Sequence, residues 1–312
     1  MTELTSGAGL APHDLWRAWS LEPGVVLPLA AGACLYARGL RALWGHAGSR
    51  RGIRRWQAWC AAAGWLVLVA ALISPLDALG SVVFSGHMAQ HELLMAVAAP
   101  LLVLGRPVLA VLWSLPVGWR RLAGRWAAAG PVRRSWRVLT WPSVAWVMHA
   151  VAIWGWHAPR LYDAAVARES VHALQHASFL GTAVLFWWAL IYGHAARRRY
   201  GAAVLYLFTT AVHTTALGAV LALASRPLYP VYASTALWAL TPLEDQQLAG
   251  LIMWVPAGVA YLIAALGFML AWLRQSDRHT GRLRESRPRE ASGRALGHEV
   301  TPFAVPLAGE AE

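Results

Sequence analysis

What most limits the folds open to this chain is a repeated feature. Seven apolar stretches, at about 23–44, 57–74, 84–107, 141–156, 171–192, 202–224 and 248–273, alternate with short polar links. A hydrocarbon core of about 30 Å takes about 20 helical residues, and only helices or closed barrels satisfy their backbone groups inside it. Long unbroken apolar runs select helices. The reading is an all-α, polytopic membrane bundle of about seven transmembrane helices. Only 13% of residues are charged, against about 25% in soluble domains.

The links fix a direction. Arginines concentrate at 45–56, 105–138, 194–200 and after 273, and the intervening links are neutral or acidic. By the positive-inside rule the N-terminus lies outside and the C-terminus in the cytoplasm. The net charge of +12 therefore reads as topology, with membrane lipids as the partner and no nucleic acid. Three regions follow: a short extracytoplasmic N-terminus (1–22), a seven-helix domain (23–273), and an Arg-rich tail (274–312) whose composition predicts disorder. No cleaved signal peptide is expected at 1–22. The stretch 111–126 mixes Trp, Arg and apolar residues, which suits one helix lying in the membrane interface. Cys34 and Cys60 form no CxxC or disulfide pattern and read as buried small hydrophobes.

Against this background the histidines stand out. The third stretch begins FSGHMAQHELLM and carries His87, Gln90, His91 and Glu92 in its first two turns. Ionisable groups inside a membrane are costly and mark a functional site by default. His87 and His91 lie four apart and share one helix face. The fifth stretch opens with a second such pair, His172 and His176, around Gln175. Both stretches enter from the outer side, and His157 ends the fourth there, so five histidines from three spans converge on one depth. Two imidazoles at this spacing can reach one metal ion. His149 and His213 lie deeper and read equally as packed residues bonded to neighbouring helices. His13, His46, His194, His279 and His298 read as solvated.

Imidazole suits Zn, Cu, Fe and Ni, and thioether suits Cu(I). Met88 and Met95 flank the first pair and tilt the choice toward copper. Asp163 is a candidate to cap a helix or orient a ligand histidine, and Glu244 and Asp245 lie just outside the seventh span. Ligation requires neutral imidazole, so binding should weaken as pH falls through about 6.5.

Four pieces, SGHMAQHELLM with AAPLLVLGRP (85–107), WHAPRLYDAA (156–165), HALQHASFLGTAVLFWW (172–188) and TPLEDQQLAGLIMWVPAG (241–258), together resemble the caa3-type CtaG family of integral membrane cytochrome c oxidase assembly factors. The resemblance covers roughly 75–273. That family is similar to the membrane part fused to copper-resistance proteins in some bacteria. The resemblance implies a bacterial plasma-membrane protein, multi-pass, that serves caa3-type oxidase assembly through copper handling, with oxidase subunits or a copper chaperone as partners and no turnover chemistry. The ligands carried over are His87, His91, His157, His172 and His176. Gln175 is a departure, standing where a Glu is expected, which replaces a carboxylate by a weaker acceptor. Three rivals remain: a copper transporter using His149 and His213 as steps, a haem protein with His91 and His176 as axial ligands, and a di-iron membrane oxidoreductase. No HxxHH box is present, which weighs against the last.

Overall fold

The computed structural model describes residues 15–48, 52–193, 200–232 and 240–286. His13, His194, His298 and the 197–199 arginine run lie outside them, as does the side chain of His279. The chain divides into two units, 1–268 and 269–312. The second is, among the described residues, the end of one helix.

Every regular element among the described residues is helical, in the order α1 (Pro23–Ala47), α2 (Arg55–Leu72), α3 (Pro75–Gly80), α4 (Phe84–Leu104), α5 (Pro107–Ser114), α6 (Val117–Ala128), α7 (Gly130–Leu139), α8 (Pro142–Trp156), α9 (Pro159–Ala167), α10 (Glu169–Tyr192), α11 (Tyr200–Ala222) and α12 (Pro242–Ser286). Six of these are long and apolar enough to cross a membrane, and α7 with α8, bent by 63°, makes a seventh if taken as one span. The chain is a multi-pass membrane protein. Proline at the first or second position starts α1, α3, α5, α7, α8 and α9, where its missing N–H is no loss and its fixed φ suits the helix.

At the centre lies α4, against α2 on one side and α10 on the other. It is not a uniform helix. Leu93–Ala98 winds as a π segment, just before Pro100, which has no N–H to return to the turn above. The widened turn frees a backbone carbonyl, and the Trp187 indole N–H donates to Met95 O at 3.0 Å. Helix α10 also packs on α8 and α9, and α11 packs on α8. Around these lies the main core, which includes Phe84, Met88, Phe179, Phe186, Leu207 and Met253.

Small residues allow close crossings. A Cβ on Gly39 of α1 would collide with the Ala110 carbonyl of α5, and Gly218 of α11 meets Gly250 of α12 backbone to backbone. This is how membrane helices gain packing when lipid is as apolar as the core. Arg106 has the one positive φ among described non-glycine residues. It turns the chain sharply from α4 into α5, and its guanidinium lies over the Tyr192 ring.

Several expectations need correction. The stretch 111–126 is not one helix: α5, α6 and α7 share the link, broken at Leu115–Pro116 and before Gly130. Of these, α5 packs on α1, while α6 and α7 bury no residue. The last span starts at Pro242, six residues (248 − 242) before the expected start, because a polar capping turn precedes its apolar run. It continues to Ser286, into the tail expected to be disordered, and the remainder of that tail lies outside the described residues. Cys34 is exposed and Cys60 only half-buried, since in lipid an outward face needs no polar cover.

Candidate metal centre

Helix α4 starts because its first amides are capped from far along the chain. The Asp245 carboxylate accepts from Phe84 N at 2.7 Å and Ser85 N at 3.1 Å. A carboxylate on otherwise unpaired N-terminal amides stabilises the helix through both hydrogen bonding and its dipole. Short α3 packs beside this end. Gln90 ties the two together, its amide donating to Ala71 O at 2.8 Å and to Asp77 Oδ1 at 2.9 Å. The first two turns of α4 are thereby held, and both His87 and His91 are buried.

Facing them, α10 offers His172 and His176. Ring centroids are 4.4 Å apart for His87–His91, 5.1 Å for His87–His172, 5.2 Å for His91–His176 and 4.1 Å for His172–His176. One nitrogen from each of His87, His172 and His176 lies within 4.8 Å of the others. Two metal–imidazole bonds span at most about 4 Å, so small ring rotations close this trio on an ion. His87 Nε2 also lies 3.3 Å from Gln175 Oε1.

A second group adjoins the first. His157 Nδ1 lies 2.6 Å from Ile153 O. A carbonyl only accepts, so Nδ1 carries the proton of the neutral ring and Nε2 is a bare lone pair. That lone pair faces Met88 Sδ at 3.4 Å, and a thioether has no proton to donate either. A nitrogen at about 2.0 Å and a sulfur at about 2.3 Å from one tetrahedral ion stand about 3.5 Å apart, so the pair already has the spacing of two ligands. His91 sits between the groups, 6.1 Å from His157 by ring centroid, with neither buried ring nitrogen hydrogen-bonded. His172 Nε2 and His176 Nε2 are likewise unpartnered. Each such group costs about 1–3 kcal/mol, and a cation could satisfy at most one lone pair from each of these rings.

Residues 34–275 match the family described as cytochrome c oxidase caa3 assembly factor. The chain belongs to that family. It is also similar to uncharacterized proteins of Mycobacterium bovis and Mycobacterium tuberculosis, each 30% identical over 279 residues, covering 86% of this chain and 41% of theirs. A third, from Mycobacterium leprae, is 28% identical over 280 residues, covering 85% and 40%. The chain therefore spans about two fifths of the length of these relatives. No solved structure matches it.

The other expected site residues take varied roles. Met95 is buried beneath the cluster, in the π segment. Glu92 is buried within electrostatic reach of Tyr261 on α12, and no hydrogen bond joins it to a histidine among the described residues. Asp163 acts on Tyr229 and Tyr232 rather than capping α9. Glu244 is exposed and caps α12, accepting from Thr241 N at 2.7 Å while Thr241 Oγ1 accepts from Glu244 N, a capping box. Asp245 holds the end of α4. His149 and His213 lie elsewhere, between α8 and α11.

Two features escaped the sequence reading. Phe84, Tyr162, Tyr229 and Tyr232 wall the cluster, with Tyr162 5.3 Å from His87 by ring centroid and Tyr229 Oη donating to His157 O at 2.9 Å. Tyr229 and Tyr232 come from a link without periodicity, where no pattern could announce them. Beside His172, Glu22, Asp77 and Glu169 bring three carboxyls together. Partial burial, then the charges of Glu169 and Asp77, push the Glu22 carboxyl above its ordinary range. An acidic rim of this kind raises the local concentration of cations.

Proposed function

We propose that this protein handles copper for the assembly of a caa3-type oxidase, receiving Cu(I) at the cluster of His87, His91, His157, His172, His176 and Met88. The oxidase subunits, or a copper chaperone that serves them, are its partners. The observation that carries the reading is the bare Nε2 of His157 facing the thioether of Met88 at ligand spacing. Thioether selects Cu(I) over the harder divalent ions. The acidic rim supplies an approach for a cation, and the arginine alternation supports a cluster at the outer face of a bacterial plasma membrane.

Haem fits less well. The imidazole rings of His87, His91, His172 and His176 pack against one another, tilted or edge-on, at 4.1–5.7 Å, leaving no slot for a macrocycle between two axial ligands. With copper as cargo, the protein's work is binding and release, without turnover chemistry of its own.

The test is copper stoichiometry of the purified protein, measured under reducing conditions against a chromophoric Cu(I) chelator. His87→Ala/His91→Ala is expected to abolish stoichiometric copper with the helical signal intact. Met88→Leu is expected to weaken Cu(I) at least by the roughly tenfold that loss of even an outer partner costs, and to leave Zn(II) affinity nearly unchanged. A double variant that keeps full copper and still supports oxidase assembly overturns the reading.

A further inference from the structure

The histidine cluster holds more donors than one ion can take. His87, His91, His157, His172 and His176 offer five imidazoles, and Met88 adds a thioether. A tetrahedral centre takes four ligands, all within about 4 Å of one another. At least two of the six donors would be left over.

Helix geometry sorts them into two sets. Successive residues of α4 turn by about 100°, so Met88 points about 100° away from His87 and about 60° away from His91. His87 meets α10, where its ring lies 5.1 Å from His172 and 5.7 Å from His176 by centroid. One nitrogen from each of these three rings lies within 4.8 Å of the others. Met88 instead meets the end of α8, its Sδ 3.4 Å from His157 Nε2. The two helices that α4 addresses are different, and so are the donors: three imidazoles on one side, a thioether with an imidazole on the other.

His91 lies between the sets, one turn beyond His87. Its ring is 4.4 Å from His87 and 6.1 Å from His157 by centroid. Both of its nitrogens are buried without a hydrogen-bond partner. The trio already has its three ligands, whereas the Met88–His157 pair has two, and His91 is the free imidazole nearest to completing it.

Resting on the copper reading above, we propose that the cluster is two metal sites side by side: a three-imidazole site of His87, His172 and His176, and a separate Cu(I) site of Met88, His157 and His91. The thioether confines the second site to a soft monovalent ion, while three imidazoles also suit a divalent ion such as Zn(II). His87→Ala/His91→Ala takes one ligand from each site, which is why that variant disables both.

The test counts Cu(I) equivalents held by the detergent-purified protein against a chromophoric chelator, above the baseline of a variant with the five histidines changed to Ala and Met88→Leu. The unaltered protein is expected to hold two equivalents. Met88→Leu/His157→Ala should hold one, with X-ray absorption losing its sulfur neighbour at about 2.3 Å. His172→Ala/His176→Ala should also hold one, with the sulfur neighbour kept. Loading the unaltered protein with Zn(II) first should leave room for one Cu(I) that still shows sulfur, a check that involves no variant able to misfold. A single equivalent in the unaltered protein, or Zn(II) that excludes all Cu(I), overturns the division into two sites and leaves the copper reading standing. No copper above the baseline overturns both.

Discussion

Helices α4 and α12 are both apolar and long enough to span a membrane, yet they occupy opposite environments. In α4, 67% of the most apolar window is buried inside the protein, and in α12 only 17%. The helix with five polar residues between Phe84 and Glu92 is the inner one, and the helix showing Leu262, Ile263 and Leu266 at the surface is the outer one. In water the order would be reversed. Lipid accepts an apolar face without cost, so the interior of the bundle is where polar groups gather and find partners. Polarity in an apolar span is thus a marker of the inside.

One residue breaks the contrast, since Asp245 belongs to the outer helix and serves the inner one. Asp245→Ala is expected to have the largest effect of three changes, because it strips the Phe84 and Ser85 amides of their acceptor in a buried place. The cost should be about 1–3 kcal/mol, read as an earlier midpoint in thermal unfolding followed by tryptophan fluorescence, together with weakened metal binding at His87 and His91. Leu262→Ala on the same helix, facing outward, should leave metal binding untouched. Asp245→Ala behaving like Leu262→Ala would erase the distinction between the two helices.

Trp187→Phe sharpens the comparison at the π segment. It removes the indole donor to Met95 O while keeping an aromatic in the core, and should cost about 1 kcal/mol. Faster amide exchange at 93–98 with unchanged exchange in α12 is the expected pattern. The smallest effect concerns the rim. A carboxyl whose folded value is raised contributes stability below its unfolded value near 4.5 and loses it as pH rises through the folded value. Stability should therefore decline slightly as pH rises above about 4.5, and Glu22→Gln should flatten that decline by a few tenths of a kcal/mol at most, since the group is largely exposed. A steeper pH dependence in the variant would assign the effect to other groups.

The spans were legible because length and apolarity are properties of each segment alone. The same is true of the i, i+4 histidine pairs, whose shared face follows from helix geometry before any neighbour is known. What the sequence hid depends on tertiary partners. Nothing in VYASTAL or its surroundings signals that Tyr229 and Tyr232 close over Phe84, and Asp245 looks like any acidic residue in a first turn until α4 is found beneath it. The stretch 111–126 reads as one interfacial helix because it mixes Trp, Arg and apolar residues, whereas the break at Leu115–Pro116 divides it.

The bond from Asp245 to Phe84 crosses 161 positions of chain. During synthesis the helix bearing His87 and His91 enters the membrane well before α12 emerges, and until then its leading amides have no acceptor. The carboxylate that fixes the start of this helix is among the last parts of the bundle to arrive, so the first turns that carry His87 and His91 are anchored only once α12 is in place.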